Sequence, residues 1–299
     1  RVLSRCRVRP ECIENTAGSE DLSMIQTTSN GTRMSDQSPH KMPDIQATRD
    51  ERQVAIDKVG VKGVTYPLTL KTADGGEQPT VATLNMYVSL PHHQKGTHMS
   101  RFLEVLNENA HPLTPEMFTT IAHQIREKLD ADHAHLEVEF TYFIEKRAPV
   151  TGSKGLMDYK VKFMVSANAV EDFVMSVTAP ATSLCPCSKE ISRYGAHNQR
   201  CEIEASVRVQ SPMWIEDLVK HLESAASTEV FAVLKRPDEK YVTEAAYDNP
   251  KFVEDIVRDL AMGLDEDDNI VWYRINSENY ESIHNHNAYA QITRDKRES

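Results

Sequence analysis

The stretch Val81-Ala-Thr-Leu-Asn-Met-Tyr-Val-Ser-Leu90 sets Val81, Thr83, Asn85 and Tyr87 against Ala82, Leu84, Met86 and Val88. A sustained period of two marks a strand with one face on a core and the other toward polar surroundings. Working outward, residues 64–70 read as a strand before it, and two helices follow it. The first helix covers residues 100–107. The second opens with Thr114 as N-cap and Pro115 at its first position, and carries Phe118, Ile121, Ala122, Ile125 and Leu129 on one face. Residues 136–142 alternate again, and residues 159–165 make a fourth strand. The order is ββααββ.

The second half repeats that order without visible sequence identity to the first. Residues 173–179 and 203–209 read as strands. Ser211-Pro212 opens a helix with Ile215, Leu218, Val219 and Leu222 on one face, and Asn249-Pro250 opens another with Phe252, Val253, Ile256, Val257 and Leu260. Residues 270–275 and 288–292 close the chain as strands. The expected architecture is α+β: two ββααββ modules, 42–168 and 169–299, each an antiparallel four-stranded sheet with a helix pair on one face. Such sheets have open edges, which pairing between modules and subunits would cover.

Composition narrows the function classes. The 299-residue chain is 39% hydrophobic and 26% charged, in the range of globular proteins. It has no run near the ~20 apolar residues of a membrane helix and no secretory apolar segment near its start. Its net charge of −11 argues against a general nucleic-acid surface. Five cysteines without an export signal point to reduced thiols and a cytoplasmic setting. Residues 1–41 are polar, lack periodicity, and read as a disordered leader or an upstream extension, which makes Cys6 and Cys12 incidental.

The densest chemistry lies in Ser183-Leu-Cys-Pro-Cys187-Ser-Lys189-Glu-Ile-Ser-Arg193-Tyr-Gly-Ala-His197. Thiolate and imidazole are favoured ligands of zinc-type ions, and Cys185 and His197 are far enough apart for a loop to fold back. Packed loop thiols beside an exposed histidine are an equally good reading of these residues alone. Two further polar clusters follow: Leu234-Lys-Arg-Pro-Asp-Glu239-Lys-Tyr and Glu278-Asn-Tyr-Glu281-Ser-Ile-His284-Asn-His286.

Taken together with Gln94-Lys-Gly-Thr-His98-Met-Ser-Arg101-Phe and Gly195-Ala-His-Asn-Gln-Arg200, these motifs resemble the type IB GTP cyclohydrolases, in order from about Asp44 to Ile292. The resemblance implies a tunnelling fold with two ββααββ modules per subunit, and a homotetramer with active sites at subunit interfaces. It implies the first step of tetrahydrofolate biosynthesis, in which GTP and water give 7,8-dihydroneopterin triphosphate and formate. It also implies a divalent metal (zinc, manganese or iron) held by Cys185, His197 and Glu239, with one coordination position open for water.

By the same resemblance Glu281 is the guanine anchor, reading N1–H and the exocyclic amine together, and His284 is the general acid and base. Glu254 is a carboxylate near the site. Cys187 has a supporting role and His286 a structural one. The triphosphate needs cations; Lys95, His98 and Arg101 around one turn, and Lys189 and Arg193 on the Cys/His loop, are the first candidates, with Arg200, Lys235 and Arg236 behind them. No P-loop is present, which excludes an ordinary GTPase. Two rivals stand against this reading: a queuosine-pathway nitrile reductase with a cysteine nucleophile and NADPH, and a non-catalytic purine-binding module.

Overall fold

The computed structural model describes residues 43–168 and 171–298, and the expected leader at 1–41, with Cys6 and Cys12, lies outside them. Strands β1 (Ile56–Lys71) and β2 (Glu77–Leu90) are followed by helices α1 (Met99–Glu108) and α2 (Met117–Lys128), then β3 (Ala134–Arg147) and β4 (Lys154–Ala167). The remainder runs β5 (Asp172–Leu184), α3 (Pro186–Ile191), β6 (Asn198–Val209), α4 (Ile215–Ser224), β7 (Thr228–Glu229), α5 (Arg236–Asp248), α6 (Val253–Glu266), β8 (Ile270–Asn279) and β9 (Ala288–Asp295). The fold is α+β with antiparallel pairing in every ladder between these strands.

The expected pairing between modules is present within one chain, where β1–β4 and β5, β6, β8 and β9 form two four-stranded halves. β4 pairs with β5 through Ser166↔Asp172 to Lys160↔Thr178, which fuses both halves into one sheet of order β1-β2-β3-β4-β5-β6-β8-β9, with β7 beside β5. A strand left unpaired there would expose a row of backbone donors and acceptors beside another such row, so the two join.

The period-two reading carries into burial: Ala82, Leu84, Met86 and Val88 are each at most 1% exposed, and their alternates face away. They pack with Phe102, Phe118, Ile121 and Ile125 of α1 and α2, and Leu218, Leu222, Ile256 and Leu260 of α4 and α6 extend the same core under the second half. Helices therefore cover one face of the sheet, while the other carries a polar ladder including Ser176–Ser206 at 2.9 Å and Lys160–Glu202 at 3.0 Å.

Helix starts differ from expectation by a few residues. Thr114 and Pro115 form a turn ahead of α2, with Met117 N donating to Thr114 O at 3.1 Å. Helix α6 begins three residues after Pro250, because the Asp255 carboxylate accepts from Phe252 N at 2.9 Å and caps it there. Helix α5 occupies a stretch that shows in the sequence only as a polar cluster. Its sequence offers no apolar stripe, and only Asp238 and Ala246 are buried in it. Asp238 places it instead: its carboxylate accepts from Val150 N, Thr151 N, Thr151 Oγ1 and Lys235 N at 2.7–2.9 Å. Burial works against the charge, but these hydrogen bonds win and hold Asp238 well below the usual carboxylate range.

Candidate active site

Strand direction decides which motifs can meet. Leu184 at the end of β5 pairs with Asn198 at the start of β6, and Asn279 at the end of β8 pairs with Ala288 at the start of β9. The Cys/His loop and the 281–286 loop therefore leave the sheet at the same end. Cys185 N donates to His197 O at 3.1 Å, closing the base of the first loop. Cys185 is the N-cap residue of α3 and half-buried, while Cys187 is exposed. Ser188 braces the loop from inside, donating to Cys185 O and accepting from His197 N, each at 3.1 Å.

The two loops touch at His197. Its Nδ1 lies 3.0 Å from Gln199 Oε1 and 3.3 Å from Ser282 Oγ. Ser282 is the neighbour of Glu281, which is half-buried; His284 is exposed and stacks on His286 with centroids 5.2 Å apart. Glu254 is exposed in the first turn of α6, whose approach segment is pinned here by Lys251 N donating to Leu184 O at 3.0 Å. Glu239 is exposed in the first turn of α5, beside the β3–β4 hairpin that Asp238 grips. Among the described residues no three His, Cys, Asp or Glu side chains gather into a metal site. One chain thus pairs Cys185 and His197 on a loop and holds Glu239 on a separate helix.

The cationic candidates divide. Lys189 donates to Tyr247 O at 2.5 Å and lies 4.3 Å over the Tyr247 ring, so it ties the loop to the end of α5. Arg193 is exposed. Between this loop and α5 is an open cavity of about 530 Å³ lined by Tyr194, Gly195, Thr243 and Tyr247 among others. Lys95, His98 and Arg101 are elsewhere. They follow β2, whose last residues lie at the end of the sheet where β5 begins, since Val88 pairs Ala134, Ala134 pairs Ala167 and Ser166 pairs Asp172. The 13 residues of β5 at ~3.3 Å each put that turn about 40 Å from the Cys/His loop. There Lys95 is exposed, His98 Nε2 lies 3.1 Å from Asp44 Oδ2, and Arg101 donates to Lys128 O at 3.3 Å.

Cys201 is no ligand candidate: it is 1% exposed, and burial pushes its thiol up to about 12. Sequence reasoning missed Gln199, Asn279 and Ser282. The first two carried a signal, being polar residues at the inward phase of strands that otherwise point Cys201, Ile203 and Ile275 at the core.

A family model described as type I GTP cyclohydrolase folE2 matches residues 42–290. The chain is similar to the GTP cyclohydrolase FolE2 of Methylobacillus flagellatus, 54% identical over 85% of this chain and 96% of that protein. The Geobacter metallireducens protein of that name is also 54% identical, over 86% and 98%, and the Nitrosococcus oceani one is 52% identical, over 85% and 95%. Among solved structures, a hyperthermostable mutant of Bacillus sp. TB-90 urate oxidase superposes with a TM-score of 0.50 over 82% of this chain and all of the other. At 8% identity that likeness speaks to the fold alone.

Proposed function

The chain belongs to the type I GTP cyclohydrolase FolE2 family, and we propose that it performs that reaction where the Cys/His loop meets the 281–286 loop. The 3.3 Å contact between Ser282 and His197 carries this reading, because it sets the guanine-reading and metal-binding motifs side by side. Glu281 accepts from N1–H and the exocyclic amine of guanine, a pattern adenine cannot match. His284 delivers a proton to the purine nitrogen released when the imidazole ring opens.

The donor set fits a divalent metal: a half-exposed thiol, and an imidazole whose Nδ1 is already held, leaving Nε2 as donor. Cys185 and His197 would hold zinc, manganese or iron with Glu239, which would come from its own helix or from a neighbouring copy. Bound there, the metal would polarise a water for addition at C8 of guanine.

The triphosphate site is proposed between subunits. Lys95, His98 and Arg101 are about 40 Å along the sheet from Cys185 in the same chain, beyond the span of one GTP. Only a second copy can bring them together. The open edges at β1 and β9 suit the homotetramer and the tunnelling-fold barrel of paired modules that the family resemblance implies.

Incubating the protein with GTP and following oxidised-pterin fluorescence and formate, before and after chelation, tests the assignment. Turnover should vanish on chelation and return with added zinc, manganese or iron. Full turnover by metal-free protein would remove the metal from the mechanism.

A further inference from the structure

We infer that Gln199 is a positioning residue that holds His197 with its proton on Nδ1, so that Nε2 keeps its lone pair for the metal. This rests on the reading of His197 as a ligand and goes beyond it, because the direction of each hydrogen bond beneath the loop follows from one fixed point. That point is Lys251 O, a carbonyl that can only accept, and Ser183 Oγ donates to it at 3.0 Å. Ser183 has one proton, so its other contacts must donate to it. They are Asn279 Nδ2 at 3.0 Å and Gln199 Nε2 at 3.3 Å.

With the amide nitrogen of Gln199 committed to Ser183, its oxygen faces His197 Nδ1 at 3.0 Å, and an amide oxygen can only accept. The imidazole therefore donates from Nδ1. Ser282 Oγ, at 3.3 Å, can share that same proton.

The relay is enclosed. Ser183 is 0% exposed, Asn279 2% and Gln199 7%, so water does not compete to reverse it. Ser183 on β5 sits opposite Gln199 on β6, and Asn279 on β8 sits opposite Cys201, two residues along β6 from Gln199. A buried amide could be replaced by apolar side chains without loss to the core; three polar groups kept in line toward one imidazole mark a positioning role.

The test reads His197 directly. In metal-free wild-type protein, ¹⁵N NMR of the histidine rings should show His197 protonated at Nδ1. Gln199→Leu should lose that preference and weaken zinc binding by about 10–100-fold. Gln199→Glu keeps an acceptor at Nδ1 and should recover much of that affinity. A wild-type His197 protonated at Nε2 would overturn the inference, as would a folded Gln199→Leu variant with wild-type zinc affinity. Failure of the underlying reading looks different: His197→Ala would then keep its zinc, whatever the tautomer. Should Gln199→Leu not fold, the wild-type tautomer alone still decides.

Discussion

The turn after β2 and the loop after β5 are alike in composition and opposite in place. Each mixes histidine with cations at the mouth of an open cavity, of about 470 Å³ at the first and 530 Å³ at the second. Yet antiparallel connectivity sends β2 and β5 out of opposite ends of one sheet. The turn's polar groups are bound locally: His98 to Asp44, Arg101 to Lys128 O. The loop's histidine is steered by a buried relay of the kind that positions reactive groups. The comparison favours the loop as the place where the proposed chemistry begins, and on that proposal the turn takes part from a second copy of the chain.

The largest expected effect breaks or confirms that division. Cys185→Ala should abolish turnover and lose its metal, while exposed Cys187→Ala keeps both. A double variant, Lys95→Ala with Arg101→Ala, should be nearly inactive yet retain metal. Co-assembling it with Cys185→Ala should regenerate measurable turnover, because some interfaces then join an intact loop to an intact turn. Mixed assemblies that stay dead would return the triphosphate to residues of one chain.

Next in size is His284→Ala, for which kcat should fall by about 10²–10⁴-fold. Metal content and GTP affinity should change far less, since the lost contact matters in the transition state. Near-normal kcat would pass the acid role to His98 and blur the contrast between the two ends.

A smaller effect is expected of Glu281→Gln. It places an amine against guanine donors and should cost about 1–3 kcal/mol of GTP binding at unchanged metal content. Loss of metal instead would make Glu281 a ligand in place of the guanine anchor.

The smallest effect on turnover belongs to Asp238, which fastens α5 to the hairpin at the loop's end of the sheet. Its folded pKa is held below the ordinary value of ~3.9. The stability it adds is therefore full above that value and is lost as pH falls toward the folded one. In thermal melts, the gap between wild type and Asp238→Asn should be constant near neutrality and shrink only in acid. A gap that narrows already between pH 6 and 7 would show that the carboxylate is not so held.

Much of this was legible in residues alone. Alternation placed β2 and β3, and 3.6-residue spacing placed α2, α4 and α6, because one-sided burial writes its period into a chain. The family motifs named the chemistry and the Cys185–His197 loop. Helix α5 left no such period, since a single buried carboxylate holds its first turn, and hydrogen bonds to a distant hairpin have no sequence spacing. Ligation, anchoring and acid roles are local properties of side chains, and the order of residues could suggest them. Two things needed the fold: the placing of the two basic clusters at opposite ends of one sheet, and the hydrogen-bonded partners that link Lys251 O to His197. Each depends on strand pairing and enclosure, which arise only when residues far apart in the chain exclude water together.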